Sequence, residues 1–395
     1  MAVRRKGYSA VKPLLASLRR VGERAVVVES GMAVMRVNAW PSAAHLHQAR
    51  QDSRMQDLPG RRLRWGVLST AAIGRVKVIP GIQRGERSEV VAIASRDGTL
   101  ARRVADELGI PTAHASYEAL LADPDVEAVY LPLPNHLHRP WTIAAARAGK
   151  HVLCEKPLAL TARDAEEMIE ICEREGVRLM EAFMYRLHPS WVAVRALVAS
   201  GRIGRLRAVH SWFSYYNDDP ANIRNSLEMG GGALYDIGCY CVNLSRMLFG
   251  TEPLRVEAAI TRDPASGVDV LTTGLLEFDG GAATFGCSTM AEDDQQVHVY
   301  GTEGRISVGI PFNMPPDRTT EITLFAGGDP PVAPASEVFS FAPADPYTVE
   351  ADRFAAAILE GTPTPVDPRD AVANLRVIEQ LFAGANAPRR TGSRG

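Results

Sequence analysis

The chain has 395 residues, 46% of them apolar and 23% charged, which is enough for two or three domains whose cores need neither disulfides nor metal. A formal net charge of -2 gives no reason to expect nucleic acid or anionic membrane as a partner. The five cysteines form no CxxC pair and no apolar run reaches the ~20 residues of a membrane span, so we expect a cytoplasmic protein with free thiols.

Residues 1–62 differ in character from the rest of the chain. Basic patches and short apolar runs lead into a polar stretch over residues 42–62, which is typical of a loosely ordered extension. The sequence Arg4-Arg5-Lys6 is compatible with a twin-arginine export signal, but charged residues interrupt the apolar stretch that should follow. We therefore predict no export and begin the first domain at residue 63.

A buried strand over residues 64–68 runs into the turn Ser69-Thr70-Ala71-Ala72-Ile73-Gly74. On the dinucleotide fingerprint GxGxxG, Ser69 and Ala71 occupy the first two glycine positions and Gly74 the third. Small residues there still let backbone N–H groups approach a pyrophosphate at a helix N-terminus. We predict that residues 69–74 bind a dinucleotide, with a plain strand-to-helix turn as the alternative.

The next predicted strand, residues 89–94, ends in Ser95-Arg96-Asp97, where a Rossmann unit meets the adenosine ribose. An acidic residue at the strand tip would favour NAD, because it accepts from the ribose 2′-hydroxyl. The tip carries Ser95 and Arg96 instead, and a hydroxyl with a guanidinium suits a 2′-phosphate. The sequence favours NADP, while Asp97 keeps NAD possible; the alternative for Arg96 is a solvated surface arginine.

A third strand, residues 126–131, leads into a loop that again follows a strand end. We expect four residues of this loop to lie near the cofactor: Leu133, Pro134, Asn135 and His138. The amide of Asn135 can donate and accept there. For the histidines of this loop, a structural role is expected rather than a catalytic one.

The strand over residues 151–153 runs straight into Glu155-Lys156-Pro157. A lysine just beyond the carboxyl end of a strand in an α/β sheet lies where such folds bind ligands. The alternative is an exposed lysine before a helix. A capped helix from Thr161 and a strand over 177–183 continue the alternation of strands and helices, which predicts a doubly wound parallel sheet. This gives a Rossmann domain over residues 63–185.

Residues 186–387 are predicted to form a second, α+β domain. A polar loop carrying Asn222 and Arg224 precedes three glycines, residues 230–232, which allow close backbone approach to a ligand or another element. Asp236 and Tyr240 follow, four residues apart on one helical face. A carboxylate and a phenol in an apolar helix indicate a site, with a buried hydrogen-bonded pair as the alternative.

Successive strands with period-two patterning run from residue 254 to 341, so the second domain should contain a large, mostly antiparallel open sheet. Such a sheet needs its second face covered, and a partner subunit would cover it. Helices over 347–360 and 368–385 finish the domain and can pack back on the first one. Residues 388–395 are expected to be a flexible tail.

From about residue 63 to 385, the chain resembles the glucose–fructose oxidoreductase / inositol dehydrogenase (Gfo/Idh/MocA) family. The resemblance is carried, in this order, by the SxAxxG turn, Pro134-Asn135-His136, Glu155-Lys156-Pro157, Glu181-Ala182-Phe183-Met184, and the glycine run with Asp236-Ile237-Gly238-Cys239-Tyr240. Within the family it is most similar to NADP-dependent aldose dehydrogenases of the D-xylose type and to dimeric dihydrodiol dehydrogenases. The degenerate glycine motif departs from the commoner pattern.

The resemblance implies hydride transfer between a sugar or polyol C–OH and nicotinamide, with Lys156 and Tyr240 flanking the reacting carbon and Asp236 beside them. A base is needed, and we expect the Lys156 ammonium to lower the pKa of Tyr240 so that it can serve as one. No metal is needed. Glu155 is expected on the cofactor side. Expected sugar contacts come from Arg186, His188, Asn222, Arg224 and Asp236.

Three alternatives share these residues. The first is oxidation of trans-dihydrodiols or reduction of 1,5-anhydrofructose-type carbonyls. The second is a non-catalytic nucleotide sensor, since fold does not fix function. The third is a glucose–fructose oxidoreductase that keeps NADP bound throughout turnover. In each case the partner is a small molecule, and a homodimer or homotetramer through the C-terminal sheet is expected.

Overall fold

A computed structural model of the chain describes residues 60–326 and 335–386, and these ranges belong to one compact unit. The tail expected from residue 388 lies outside the described residues, as does all but the end of the extension expected over 1–62. Within the described ranges, no helix combines the length and apolar character needed to cross a membrane.

The first sheet has six strands in the order β3-β2-β1-β4-β5-β6, and every neighbouring pair is parallel. The predicted doubly wound sheet is therefore confirmed. The order reverses between β1 and β4, and ligands of such sheets bind at the carboxyl ends beside that point. The strands are β1 (Leu63–Leu68), β2 (Ser88–Ala94), β3 (Thr112–His114), β4 (Ala128–Leu131), β5 (His151–Cys154) and β6 (Leu179–Glu181).

Three of the five helices that flank the first sheet begin at a side-chain cap, supplied by Asp97, Ser116 and Thr161. Asp97 accepts from the N–H groups of Thr99 and Leu100, and Thr161 accepts from the N–H of Asp164, as its capping box predicts. These helices are α1 (Ile79–Arg84), α2 (Gly98–Leu108), α3 (Tyr117–Leu121), α4 (His138–Arg147) and α5 (Ala162–Arg174).

The second sheet has eight strands in the order β14-β13-β12-β11-β7-β10-β9-β8. Only β7 and β10 pair in parallel, so the prediction of a mostly antiparallel open sheet is confirmed. The strands are β7 (Leu206–Tyr216), β8 (Arg255–Arg262), β9 (Asp269–Phe278), β10 (Gly281–Ser288), β11 (Met290–Gly301), β12 (Gly304–Val308), β13 (Thr320–Ala326) and β14 (Ala335–Phe341).

One face of the second sheet is buried beneath helices and the other lies open. Apolar side chains of the inner face, such as Phe285 and Val299, share a core with α7. The outer face leaves Leu271, Tyr300 and Val338 at least a third exposed. The remaining helices are α6 (Pro189–Ala199), α7 (Cys239–Phe249), α8 (Pro346–Leu359) and α9 (Arg369–Asn386).

The two C-terminal helices join the apolar cores that flank the first sheet. Phe354 of α8 lies beside Trp65 of β1, with ring centroids 5.6 Å apart. Ala371 and Leu375 of α9 join the core on the opposite side of that sheet, while Ile378 of the same helix joins the core of the second sheet. Helix α9 therefore ties the two sheets together.

Candidate active site

A cleft of about 770 Å³ opens where the carboxyl ends of β1, β4 and β5 face β7, β11 and the loop after β7. It is the position at which open parallel sheets bind ligands. Its lining consists of Ala71, Ala72, Ile73, Pro132, Leu133, Asn135, Glu155, Lys156, Met184, Phe213, Ser214, Tyr215, Asn217, Ile223, Arg224, Met229, Gly230, Gly231, Asp236, Ile237, Tyr240, Asp293, Asp294, Gln295, Gly309, Ile310, Asn313 and Tyr347.

Lys156 lies at the base of this cleft, directly after β5. Its ammonium donates to the backbone oxygen of Asp236 at 2.7 Å and to the carboxylate of the same residue at 3.2 Å. Burial opposes the charge on Lys156, but Asp236 and its other acidic neighbours, among them Glu155, together outweigh it and hold the pKa of the lysine above its ordinary value. Lys156 is therefore a fixed cation rather than an exposed lysine.

Asp236 is held by three side chains at once. Besides Lys156, the phenol of Tyr215 donates to its Oδ2 at 2.6 Å, and Nε of Arg224 donates to the same oxygen at 2.9 Å. Burial alone would raise the pKa of Asp236, but the charges of Lys156 and Arg224 keep it well below its ordinary range. The carboxylate stays ionised and fixes the lysine.

Tyr240 reaches the cleft from the first turn of α7 and is 6% exposed. Its ring packs against Phe183 and Phe213, at centroid distances of 5.0 and 5.8 Å, which fixes its direction. Among the residues that the structure describes, its hydroxyl donates only to the sulfur of Met184, 3.7 Å away, a weak acceptor that a substrate oxygen can replace.

The expected lowering of the pKa of Tyr240 by Lys156 is wrong. Burial raises the pKa of Tyr240 well above 10, and the cation over its ring is already neutralised by Asp236. At neutral pH the residue is therefore a phenol that donates a proton, and not a phenolate.

Glu155 lines the cleft beside Lys156. It accepts a hydrogen bond from the phenol of Tyr130 at 2.6 Å. Burial raises its pKa, against the opposing effect of the Lys156 charge. It follows β5 directly and so lies at the carboxyl end of the first sheet.

The turn after β1 combines small side chains with an unusual backbone. Ser69 has a φ of 143°, a conformation that glycine adopts readily, and its Oγ accepts from the N–H of Ala71 at 3.0 Å. Ser69 occupies the first glycine position of the fingerprint and has a backbone conformation that glycine favours. Ala71, Ala72 and Ile73 line the cleft, whereas Ser69, Thr70 and Gly74 lie outside its lining.

At the tip of β2, the three candidate ribose residues differ in what they are free to do. The Asp97 carboxylate is used by the N-terminus of α2. Ser95 is buried and its Oγ accepts from the N–H of Asp97. Arg96 is exposed and has no hydrogen-bonding partner among the described residues. The guanidinium is therefore available to an anionic group.

The loop after β4 is divided between the cleft and the interior. Leu133 and Asn135 line the cleft, and the amide of Asn135 donates to the backbone oxygen of Gly230 at 2.8 Å. Pro134 sits between them but outside the lining. His138 is fully buried, with both ring nitrogens 2.8 Å from carbonyl oxygens, so its expected cofactor contact is corrected to an interior one.

Of the residues expected to contact a sugar, Arg224 and Asp236 line the cleft and three do not. Arg186 forms an ion pair with Asp370, and His188 is fully buried at the start of α6, where it accepts from the N–H of Ser190. Asn222 accepts from the N–H of Arg224. We correct these three predictions, because each side chain is already used within the protein.

The glycine run serves close packing of one element on another. A Cβ on Gly231 would lie 2.3 Å from the backbone oxygen of Arg224, and one on Gly232 would lie 2.1 Å from the Asp269 carboxylate. The chain then enters a π-helical turn, Leu234–Gly238, before α7. Asp236 in that turn and Tyr240 in the first turn of α7 both line the cleft.

Several residues that line the cleft were not predicted from the sequence. Tyr215 of β7 and Tyr347 of α8 enter from distant parts of the chain. Asp293 and Asp294 enter from a bulge in β11, where the register against β7 shifts between Met290 and Asp294. The paired acids inside a strand were the one signal that could have pointed to them. In the described ranges, no group of three or more His, Cys, Asp or Glu is placed to hold a metal.

Two family models match the chain. One, described as an oxidoreductase family with an NAD-binding Rossmann fold, covers residues 63–183. The other, described as the GFO/IDH/MocA C-terminal domain, covers residues 191–307.

Curated relatives extend the match over most of the chain. An uncharacterized oxidoreductase of Rhizobium meliloti is 45% identical over 84% of this chain and 98% of its own length. A D-xylose 1-dehydrogenase (NADP(+)) of Haloferax volcanii is 43% identical, covering 81% of this chain and 97% of the relative. A trans-1,2-dihydrobenzene-1,2-diol dehydrogenase of Mus musculus is 35% identical over 62% of this chain and 74% of its own length.

Solved structures have a similar fold over most of the chain. A 3-ketoreductase from Actinomadura kijaniata, in complex with NADP and TDP-benzene, has a TM-score of 0.76 at 29% identity and covers 82% of this chain and 98% of its own. An aldose-aldose oxidoreductase from Caulobacter crescentus, complexed with glycerol, has a TM-score of 0.75 with the same identity and coverage.

Proposed function

Because this chain belongs to the GFO/IDH/MocA family of NAD(P)-dependent oxidoreductases, we propose that its substrate is a neutral sugar or polyol, with the C1 hydroxyl of a D-xylose-like aldose as hydride donor and a lactone as product. The observation that carries the proposal is the position of Lys156. Its ammonium is fixed by Asp236 against the ring of Tyr240. Residues 71–73 of the turn after β1, which we call the nucleotide turn, line the same cleft.

The residues present fit a nicotinamide dinucleotide with a 2′-phosphate. The small side chains of Ala71 and Ala72 border the same cleft as Lys156, and Arg96 is available at the tip of β2 while Asp97 is used as a helix cap. We infer that Arg96 binds the 2′-phosphate and that NADP is preferred to NAD. When bound, the nicotinamide supplies the hydride acceptor or donor.

The protein's own groups handle the proton. Tyr240, a neutral phenol, exchanges its weak contact with Met184 for one with the substrate oxygen, and Lys156 donates to that oxygen from the other side. In carbonyl reduction the phenol gives its proton to the forming hydroxyl. In oxidation the same site must first be deprotonated. Asp236 holds Lys156 in place and remains ionised throughout.

The charge of the cleft favours a neutral substrate over a sugar nucleotide. The two cations of the lining, Lys156 and Arg224, are both paired with Asp236. At the rim, Asp293 and Asp294 are exposed and form no ion pair within the described residues. Carboxylates accept hydrogen bonds from hydroxyl groups and repel a diphosphate. The cleft therefore suits an aldose better than a thymidine-diphosphate ligand such as the ketoreductase of Actinomadura kijaniata holds.

A second candidate is the oxidation of trans-diols of apolar rings. It is supported by Ile223, Met229 and Ile310, which line the opening and remain exposed. An apolar ring would cover these side chains, whereas a free pentose would leave them in water. The relative from Mus musculus that is named as a dihydrodiol dehydrogenase agrees with this candidate.

One experiment separates these functions. Purified protein would be assayed with NADP and with NAD against aldoses, polyols, cyclic trans-diols and thymidine-diphosphate sugars, by nicotinamide absorbance. The proposal predicts the highest kcat/KM with an aldose and NADP. A higher value with a trans-diol would favour the second candidate, and a higher value with a sugar nucleotide would contradict both.

We also infer that the protein forms a homodimer or homotetramer through the open face of the second sheet. Leu271, Tyr300 and Val338 lie on that face and are exposed. Such apolar exposure on a flat sheet is typical of a surface that another subunit covers. Light scattering of the wild type and of Tyr300→Glu tests this: the variant should be smaller, and a monomeric wild type would contradict it.

A further inference from the structure

The peptide group between Pro157 and Leu158 lies one residue after Lys156 and is held by hydrogen bonds to two side chains. The carbonyl oxygen of Pro157 lies 2.8 Å from Nδ1 of His138, and the N–H of Leu158 donates to Oε1 of Glu181 at 2.7 Å. Both of these side chains are buried, with 0% and 2% exposure. Within residues 60–326 and 335–386, neither polar atom of this peptide group bonds to another backbone atom.

We propose that His138 and Glu181 are positioning residues that fix the plane of the Pro157–Leu158 peptide and thereby hold Lys156 at its working place. Before Lys156 the backbone is fixed by the sheet, since the N–H of Glu155 bonds to the carbonyl of Leu131. After it, the two side chains provide the equivalent restraint. A rotation of this peptide would move the Lys156 backbone and carry the ammonium away from Asp236. The inference rests on the proposed function only in that Lys156 must act in turnover.

The histidine makes the proposal specific. Its Nε2 lies 2.8 Å from the carbonyl oxygen of Leu133, so both ring nitrogens face acceptors. A neutral imidazole donates through one nitrogen only. Burial lowers the pKa of His138 to about 4, so the ring is neutral at neutral pH. We therefore assign the single ring N–H of His138 to Nδ1, from which it donates to the Pro157 carbonyl.

A simpler role would be to satisfy buried polar atoms, which nearly all proteins do. Lys150 provides an example of that role alone and serves as a matched control. It is also buried, and its ammonium donates to the carbonyls of Asp123 and Val126, each at 2.7 Å. These contacts lie at the amino end of β5, away from the cleft.

The first test compares Glu181→Leu, Glu181→Gln and Lys150→Met in kcat, cofactor affinity and Tm. The glutamine keeps an acceptor for Leu158 and should retain kcat within ~3-fold, whereas the leucine should lose ~10- to 100-fold with cofactor affinity unchanged, as expected for a displaced catalytic group. Lys150→Met should lower Tm comparably and retain kcat. Equal kcat in Glu181→Leu and Lys150→Met would overturn the proposal.

The second test compares His138→Asn with His138→Gln and remains decisive if Glu181→Leu does not fold. The asparagine amide reaches the position of Nδ1, next to Pro157, and the glutamine amide reaches that of Nε2, next to Leu133. The proposal predicts a kcat at least ~5-fold higher in the asparagine variant, because only that variant keeps the restraint on the turn. Equal or reversed values would overturn it.

A third measurement does not need a substrate, so failure of the proposed function can be distinguished from failure of this inference. The rate of reductive methylation of Lys156 would be read by peptide mass, with Lys150 as internal reference. Loosening the turn in Glu181→Leu or His138→Gln should raise the Lys156 rate at least ~5-fold, since the ammonium leaves Asp236. Unchanged rates in both variants would overturn the proposal even if no donor were oxidised.

Discussion

The ammonium of Lys156 lies over the ring of Tyr240, 5.1 Å from its centroid, and within the described structure no hydrogen bond joins the two side chains. Each of them instead has a partner of its own: Asp236 for the lysine and the sulfur of Met184 for the phenol. The strong partner keeps the lysine in place, while the weak one leaves the phenol ready to bind a substrate oxygen. Both donors line the same cleft.

The pH dependence of the two reaction directions should differ. Burial raises the pKa of Tyr240 well above 10, so the proton-donating form predominates up to alkaline pH. Carbonyl reduction should have a flat kcat/KM from about pH 6 to 9, whereas oxidation should rise about tenfold per pH unit as the scarce deprotonated form increases. Initial rates in both directions check this. An oxidation rate that levels off below pH 8 would contradict the assigned state of Tyr240.

Arg96→Ala should weaken the binding of NADP without weakening the binding of NAD. The guanidinium is exposed and has no described partner, so its loss removes a charge-assisted contact with the 2′-phosphate, worth about 1.5–3 kcal/mol, or ~10- to 150-fold in Kd. Titration with both reduced cofactors measures it. Arg103→Ala, an exposed arginine of α2, is the control and should change neither affinity. Equal losses for NADP and NAD in Arg96→Ala would mean that the arginine does not bind the phosphate.

Asp293→Asn together with Asp294→Asn should change the discrimination between neutral and anionic substrates. The double variant removes two exposed negative charges from the rim while keeping side chains that accept from hydroxyl groups. We expect KM for the corresponding sugar phosphate to fall ~5-fold or more, with KM for the neutral aldose changing less. The expected gain should shrink in high salt. An equal change in KM for both substrates would show that the charge at the rim does not discriminate between them.

The stability of the fold should depend on pH through Glu181. Burial raises the pKa of this residue to about 8 from an ordinary value of 4.5, so its contribution to stability is complete below pH 4.5 and is lost as the pH rises through 8. Glu181→Gln removes this dependence. The difference in unfolding free energy between the variant and the wild type should therefore shift in favour of the variant by on the order of 4 kcal/mol as the pH rises from 5 to 9. Urea unfolding across that range measures it, with Glu118→Gln on an exposed helix position as control. A difference in unfolding free energy between variant and wild type that does not change with pH would contradict the raised pKa of Glu181.

The parts of the site that the sequence predicted are those that follow directly from local structure. The nucleotide turn, the lysine after β5 and the pair Asp236 and Tyr240 each lie at the end of an element whose periodicity can be read along the chain. Parallel strands bring their carboxyl ends to one edge, so three strand ends already define the cofactor half of the cleft.

The parts that could not be predicted depend on contacts between distant segments. Arg186 was expected at the substrate, but its partner is Asp370, 184 residues further along the chain. Tyr215 and Tyr347 reach the cleft because the second sheet and α8 fold over the first sheet. The pKa of Tyr240 depends on its burial among Phe183, Phe213 and other rings, which no local pattern reveals.

The central claim, that Lys156 and Tyr240 act together on the substrate oxygen, is tested most directly by kcat for the best donor in Lys156→Ala, Tyr240→Phe and Tyr185→Phe. Tyr185 is the control, because its phenol is buried in the same aromatic group but donates to Asn243, outside the cleft. We predict that kcat falls at least ~100-fold in the first two variants and stays within ~3-fold in the third. Near-normal turnover by folded Lys156→Ala and Tyr240→Phe proteins would contradict the account.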